Sequence, residues 1–416
     1  MFILKIILGI SFFATLFTLL MSIATFFFPV RKPVSAKFLS DYKVYILMPV
    51  LNESSVIKKT VDKFFDDSYF SHKNNVHLVL IDDRSTDGST DILKSLNNTY
   101  KNFHVLKRSF PIAQHGKGAA LNAGIDFVRK NNDWDPDKTI VGVIDADASM
   151  EITDINKMVN VFDQDDKLAM AQSRVAMNRT KNWLETLQDF EFLVPNSLLQ
   201  NMRNNFGNAA GAGNGQFFRM SALKERTPWG NALLEDYEIS TKLLVNDQKT
   251  TFVPDILVKQ EPVSNVSGFV RQRARWAQGS LDCLKLLGGK TISSNLNFLE
   301  KLEMILFMCS TLLSLIIIIT NILSLVSIIL GLTIVNYSAP WWMIATLILG
   351  LAFVVFSVIQ YYRFADISIL KAIGCIFYFY IYMILIIPIV FIAFWNFITG
   401  HNSWDKTAHG LKESGN

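Results

Sequence analysis

Four polar clusters follow one another along the chain, and each carries side chains suited to group-transfer chemistry. They are Asp82-Asp83, Asp145-Ala146-Asp147, Glu235-Asp236 and Gln272-Arg273-Ala274-Arg275-Trp276. Asp145 and Asp147 offer hard oxygen ligands for Mg²⁺ or Mn²⁺, ions that keep several waters and bridge to substrate phosphates. Such a pair standing alone is more often a solvated turn. Asp82 and Asp83 could accept hydrogen bonds from a nucleobase or ribose. Ser85, Thr86, Asp87 and Ser89 beside them equally suit turn and capping chemistry. Lys117, in His115-Gly116-Lys117-Gly118 at a helix start, could attract phosphate; it lacks Walker spacing, and an ordinary turn reads the same way. Glu235-Asp236 could supply a general base for a hydroxyl, or could merely favour a helix dipole. Gln272, Arg275 and Trp276 share a helical face. There a guanidinium suits phosphate and an indole gives a flat platform for a sugar ring. With Arg271 and Arg273 close by, the same segment could instead lie against anionic lipid. In this order the clusters imply a site for a sugar nucleotide, a divalent metal and an acceptor hydroxyl.

The elements that must position these residues are legible as alternating patterns. Val44 to Val50, Val76 to Ile81, Phe103 to Leu106, Thr139 to Ile144 and Leu168 to Val175 read as strands. Val56 to Phe65, Thr90 to Leu96, Gly118 to Arg129 and Ile155 to Phe162 read as helices between them. Alternation of this kind implies βαβ units and a mostly parallel sheet, whose ligands bind at the carboxyl ends of the strands. Asn52-Glu53, Asp82-Asp83 and Asp145-Ala146-Asp147 each follow such a strand directly. The Gly-rich stretch from Gly207 to Gly215 reads as a loop with close backbone approach.

The rest of the chain is apolar. Of its 416 residues, 50% are hydrophobic and the mean hydropathy is +0.27. Uncharged runs extend from Ile6 to Val30, from Met304 to Tyr362 and from Ala372 up to Asp405. A span needs about 20 apolar residues, so these lengths predict one span, then two separated near Asn336 to Pro340, then one containing Pro388. The first run is long for a signal peptide and no small-residue cleavage pattern precedes Arg31-Lys32, so it reads as a retained anchor. Arg31, Lys32, Lys37 and Lys43, with Lys301, Arg363 and Lys371, place the middle region in the cytoplasm. Pro388 leaves room for a kinked or re-entrant last segment. The net charge of +4 reflects these flanks; no basic stripe with interleaved aromatics suggests nucleic acid. Cys283, Cys309 and Cys375 form neither a metal spacing nor a disulfide framework. The spans hold almost no ionisable residues, which argues against a transporter.

The ordered set resembles the family 2 glycosyltransferases, specifically the processive membrane branch with cellulose, chitin and hyaluronan synthases and poly-N-acetylglucosamine synthases. The pattern D, DxD, (E/T)D, QxxRW corresponds here to Asp83, Asp145-Ala146-Asp147, Glu235-Asp236 and Gln272 to Trp276. Pro49 to Glu53 resembles the family's nucleotide loop, Gly116-Lys117-Gly118 with Ala120-Leu121-Asn122 its diphosphate-side segment, and Gly211 to Gln216 its acceptor loop. Leu234 stands where many members have Thr, and the loop reads GNGQ in place of the cysteine version of cellulose synthases. Trp404 to Gly410 is similar to a tail motif of some bacterial members, which points to a cytoplasmic tail although span counting puts it outside.

The resemblance implies an α/β GT-A catalytic domain, Rossmann-like with a mostly parallel sheet, embedded between transmembrane helices. It implies an anchor over 1–30, the catalytic domain over 43–280, an interfacial segment over 281–302, about three spans over 303–400 and a tail over 401–416. It implies Asp236 as base beside Glu235; Asn52, Glu53, Asp82, Asp83, Lys117, Asp145 and Arg275 on the donor; Asp147 and Asp145 on Mg²⁺ or Mn²⁺. It implies Gly213, Asn214, Gly215, Gln216, Gln272 and Trp276 on the acceptor. The expected partners are a UDP-sugar, a growing glycan or lipid acceptor and membrane lipids, with no accessory subunit indicated. The expected setting is the plasma membrane, multi-pass, and the expected activity is polysaccharide synthesis or a single transfer to lipid. A membrane-anchored nucleotide sensor would leave Asp236 and the QxxRW set without a task.

Overall fold

The computed structural model describes residues 23–319 and 341–401, except 31, 67–74, 98, 101, 131–134 and 366, together with residues 9, 12, 13, 16, 20 and 322. The expected span from Ile6, the Asn336 to Pro340 loop and the Trp404 to Gly410 motif therefore lie wholly or largely outside the described residues.

Eight strands form one mixed sheet: β1 Lys43–Val50, β2 Val76–Asp82, β3 Phe103–Lys107, β4 Thr139–Val143, β5 Ala148–Met150, β6 Leu168–Met177, β7 Gln216–Arg219 and β8 Lys249–Gln260. Their order is β3-β2-β1-β4-β7-β6-β8-β5. The first four are mutually parallel, and β7 enters antiparallel between β4 and β6. The parallel half is built as expected, from buried Val, Ile and Leu runs covered on both faces. Helices α1 Ile57–Asp66, α2 Ser89–Asn97, α3 Lys117–Lys130 and α4 Ile152–Asp163 connect these strands. One apolar core lies beneath each face.

Beyond the parallel half come α5 Trp183–Glu191, a π-helical turn Phe192–Asn196, α6 Ser197–Phe206, α7 Glu235–Val245 and α8 Val266–Ser293. Asn265 caps α8 by accepting from Gly268 N–H at 2.7 Å. The domain boundary expected at 280 falls inside this helix, which joins the QxxRW segment to the first part of the interfacial segment, up to Ser293.

Three apolar helical pieces pack beside the domain: α9 Phe298–Met308 with α10 Ser310–Ile319, α11 Trp341–Phe364 and α12 Ile369–Thr399. Among the described residues only α12 is alone long and apolar enough to cross a membrane, and α9 with α10, bent by 60°, passes as a second candidate. Of the region expected to hold about three spans, residues 320, 321 and 323–340 lie outside the described residues. The bend follows Met308, where Cys309 closes α9. Pro388 lies inside α12, which runs continuously through it. Leu370, Phe377, Ile384 and Trp395 of α12 are exposed, an apolar face wider than a water-facing helix carries.

Candidate active site

A cavity of about 520 Å³ opens at the carboxyl ends of β1, β2 and β4, within the usual range for ligand sites. Glu53 and Asp83 line it. Asp83 is held by a buried pair: its Oδ1 accepts from Arg108 at 2.5 Å and from Gln114 N–H at 3.0 Å. Asn52 and Asp82, expected on the nucleotide, make hydrogen bonds within the turn. Asp82 accepts from Ser85 N–H at 2.9 Å and from the Thr90 hydroxyl at 2.6 Å. Asn52, at φ 53°, accepts from Thr86 N–H at 2.7 Å. Neither lines the cavity, whereas the neighbouring Glu53 and Asp83 do.

Lys117 opens α3 and stands at the centre of the site. Its Nζ is 2.6 Å from Asp145 Oδ1, 3.7 Å from Glu235 Oε1 and 3.4 Å from Gly213 O. Burial works to lower its pKa, but Asp145 and Glu235 raise it further, so the ammonium stays charged. Three carboxyls near it have less compensation. Burial first, then Asp145, push Asp147 up to about 7. Burial, then Glu235, push Asp236 up to about 7. Burial raises Glu235 as well, against the pull of Lys117. Glu261 adds a further negative charge on Asp147.

This acidic excess bears on the metal. Among the described residues no group of three or more ligating side chains is gathered closely enough to hold an ion by itself. Asp145 and Asp147 supply two carboxylates, which is how Mg²⁺ is ordinarily held, with phosphates and waters completing its shell. The donor set therefore fits an ion that arrives with a diphosphate.

Asp236 lies in the first turn of α7, beneath the loop before β7. Gly213 there has φ 78°, and a Cβ on it would come within 3.3 Å of Asp236 Oδ2. The loop is clasped from below by Gln172, which accepts from Ala212 N–H at 2.9 Å and donates to Asn214 O at 2.8 Å. Asn214 in turn accepts from Asp145 N–H at 3.3 Å and donates to Gln260 at 3.1 Å. Gly213 and Asn214 line the cavity. Gly215 and Gln216, expected beside them, do not, because Gln216 already begins β7 and is 1% exposed.

The opposite wall is α8. Gln272, Arg275 and Trp276 face the cavity as their spacing implies. Arg273 faces it too, although it read as part of a basic stretch near lipid. It is buried and paired with Glu191 at 2.6 Å. Glu191, Gln172 and Glu261 carried no local signal, since each acquires its place only through the tertiary fold. From this wall the cavity continues past Ser310, Thr311 and Ser314 of α10 to Tyr382, Ile389 and Val390 of α12.

Comparisons with known proteins agree with this geometry. The profile described as "Glycosyl transferase family group 2" matches residues 140–398, and that described as "Glycosyl transferase family 2" matches residues 45–227. A beta-monoglucosyldiacylglycerol synthase of Nostoc sp. is 30% identical over 240 residues, covering 57% of this chain and 48% of that one. A poly-beta-1,6-N-acetyl-D-glucosamine synthase of Staphylococcus epidermidis is 25% identical over 268 residues, covering 62% and 61%. The chain spans about half the length of the first of these relatives. The solved mannosyltransferase of Pyrobaculum calidifontis, in complex with GDP-Man and Mn²⁺, superposes with a TM-score of 0.62 at 16% identity, covering 96% of this chain and 99% of that one. That likeness is one of fold, a GT-A-like mixed open sheet. With the first profile covering more than half of it, the chain belongs to glycosyl transferase family group 2.

Proposed function

We propose that the protein is a membrane-held hexosyltransferase that extends a β-linked extracellular or capsular polysaccharide from a UDP-sugar, by one inverting displacement per sugar. The observation that carries this reading is a single cavity. It holds the carboxylate cluster, the Gln272, Arg275 and Trp276 face, and a continuation between α10 and α12 along which a glycan could leave. Glu53 and Asp83 bind the nucleoside, with Asn52 and Asp82 shaping their turn. Asp147 and Asp145 would hold Mg²⁺ or Mn²⁺, which when bound neutralises charge on the leaving diphosphate. Lys117 and Arg275 stabilise that charge from the protein side. Asp236 accepts the proton of the acceptor hydroxyl as its oxygen bonds to the anomeric carbon and the bond to the diphosphate breaks. Glu235 keeps Lys117 in place. Trp276 and Gln272 carry the terminal acceptor sugar, with Gly213 and Asn214 on its other side; Gly215 and Gln216 support that loop from behind. The catalytic domain, 43–280, would lie on the cytoplasmic face of the plasma membrane, beside an anchor over 1–30, an interfacial segment, a multi-pass region over 303–400 and a cytoplasmic tail.

A second reading keeps the site and changes the acceptor: one sugar placed on a lipid. The apolar far wall, with Phe307, Ile386, Ile389 and Val390, favours it, and so does the similarity to the Nostoc beta-monoglucosyldiacylglycerol synthase. The test incubates purified protein with Mn²⁺ and each radiolabelled UDP-sugar, sizes the labelled product and digests it with linkage-specific glycosidases. A long polymer from one donor supports the first reading. A labelled lipid with a single sugar replaces it with the second, and nucleotide binding without transfer removes both.

A further inference from the structure

Arg273 has the surroundings of a residue that works through its neighbours. Its Nη2 donates to Glu191 Oε2 at 2.6 Å and its Nη1 to Gln272 Oε1 at 3.1 Å. The guanidinium lies 4.1 Å from the centroid of the Trp276 ring, 4.7 Å from Phe269 and 5.4 Å from Phe192. The other Glu191 oxygen accepts from the Tyr382 hydroxyl at 3.3 Å, and Tyr382 packs edge-on to Phe269 at 5.9 Å. One carboxylate thus ties α5, the QxxRW helix α8 and the long apolar helix α12 together. A buried ion pair adds little stability over apolar side chains of the same volume. What this one secures is orientation: a planar guanidinium can stack on an indole and pair with a carboxylate at once, which an ammonium cannot.

We propose that Arg273 is a positioning residue for the acceptor, fixing the Trp276 indole and the Gln272 amide, and that Glu191 and Tyr382 hold it in place from α5 and α12. The proposal rests on the transferase reading above for its consequence, but not for its geometry. Glu191 and Tyr382 bear on Trp276 through Arg273, so displacement of α12 changes the grip on the acceptor sugar while the nucleoside wall, Glu53 and Asp83 after β1 and β2, stays as it is.

The test uses the full chain labelled with 5-fluorotryptophan, with the Trp276 ¹⁹F resonance identified by its loss in Trp276→Phe. Arg273→Lys, Glu191→Gln and Tyr382→Phe should each move or split that resonance and leave those of the other tryptophans in place. In turnover assays the same variants should raise the acceptor KM by about tenfold, within the range between an exposed and a desolvated cation–π contact, with the donor KM unchanged. Tyr382→Phe, which loses only a hydroxyl, keeps the test available where Arg273→Lys does not fold. An unmoved Trp276 resonance in folded Glu191→Gln and Tyr382→Phe overturns the proposal whether or not transfer is detected. Equal rises in donor and acceptor KM also overturn it. A moved resonance in a protein that transfers no sugar would uphold the positioning and refute the transferase reading alone.

Discussion

At the scale of single residues, the site is an acid cluster kept short of positive charge. Asp236 is raised to about 7, by burial and then by Glu235, so at neutral pH it exchanges protons readily, as a general base should. Asp236→Asn removes the proton acceptor and keeps the shape. Turnover should fall by about 10²- to 10⁴-fold, the usual contribution of such a group, while UDP affinity measured by calorimetry stays near the wild-type value. Unchanged turnover would exclude Asp236 as the base. The pH dependence follows from the same shift. With Asp236 as the proposed base the deprotonated form is the active one, so kcat should rise with pH through about 7 and lose that limb in Asp236→Asn. Stability should run the other way. A carboxyl whose pKa is raised on folding binds more protons in the native state than in the unfolded one, so its contribution is present at low pH and lost as pH rises through about 7. Thermal melting of the metal-free protein at a series of pH values checks the sign for Asp147 and Asp236 together.

At the scale of elements, what places Asp236 against Lys117 is the contact between α3 and the loop that leads into α7. Asn122 of α3 donates to Trp229 O at 2.8 Å and accepts from Trp229 N–H at 3.1 Å. One turn earlier, a Cβ on Gly118 would lie 2.4 Å from the Gly230 carbonyl oxygen, so the helix and the loop touch backbone to backbone. Asn122→Ala forfeits two hydrogen bonds and leaves the buried Trp229 amide unsatisfied, a loss of about 2 kcal/mol or more. A lowered melting temperature together with a fall in kcat of about tenfold would be expected, since each 1.4 kcal/mol of misplacement is tenfold. A fall in stability with kcat intact would separate the loop from the chemistry. This contact also marks how far the sequence could be read. The parallel strands and the helices between them were legible because each is a continuous buried run or an amphipathic repeat. β5, with three residues, β7, with four, and β8, with Pro254 inside it, carry no such period and owe their strand form to pairing. Asn122 reads in sequence only as part of a diphosphate-side segment; its bracing role depends on Trp229, far along the chain. Asp83 and Asp82 are adjacent in sequence and indistinguishable there, yet the alternation of a strand end turns one toward the cavity and the other into the turn.

At the scale of the molecule, the α/β domain and the apolar helices are joined by buried polar ties, so the cavity that runs between them is walled by both. Asp189 accepts from the Tyr361 hydroxyl of α11 at 2.7 Å and from Met177 N–H of β6 at 2.8 Å. Arg203 of α6 donates to Glu303 of α9 at 2.6 Å, and Glu303 also accepts from Asn208 at 2.7 Å. Arg203 stacks in addition on Phe307, 4.3 Å from its centroid. The second tie lies at the cavity wall, where α9 bends into α10, and meets the turn that carries Asp236 through Tyr237, whose ring centroid is 4.4 Å from that of Phe307. Glu303→Gln leaves Arg203 as a buried, uncompensated cation, and breaking a buried pair on one side costs about 3–5 kcal/mol. Melting of the variant in detergent should therefore start from the separation of α9 from α6, at a clearly lower temperature than in the wild type. Below that temperature, donor hydrolysis without acceptor should continue at the wild-type rate, because Asp83, Lys117 and Asp145 are untouched. Transfer to acceptor should weaken, because Ser310, Thr311 and Ser314 ride on the displaced helix. Loss of both activities in parallel would mean that the donor site itself depends on the helical region, and that the two cannot be treated as a catalytic domain resting on a separable membrane part.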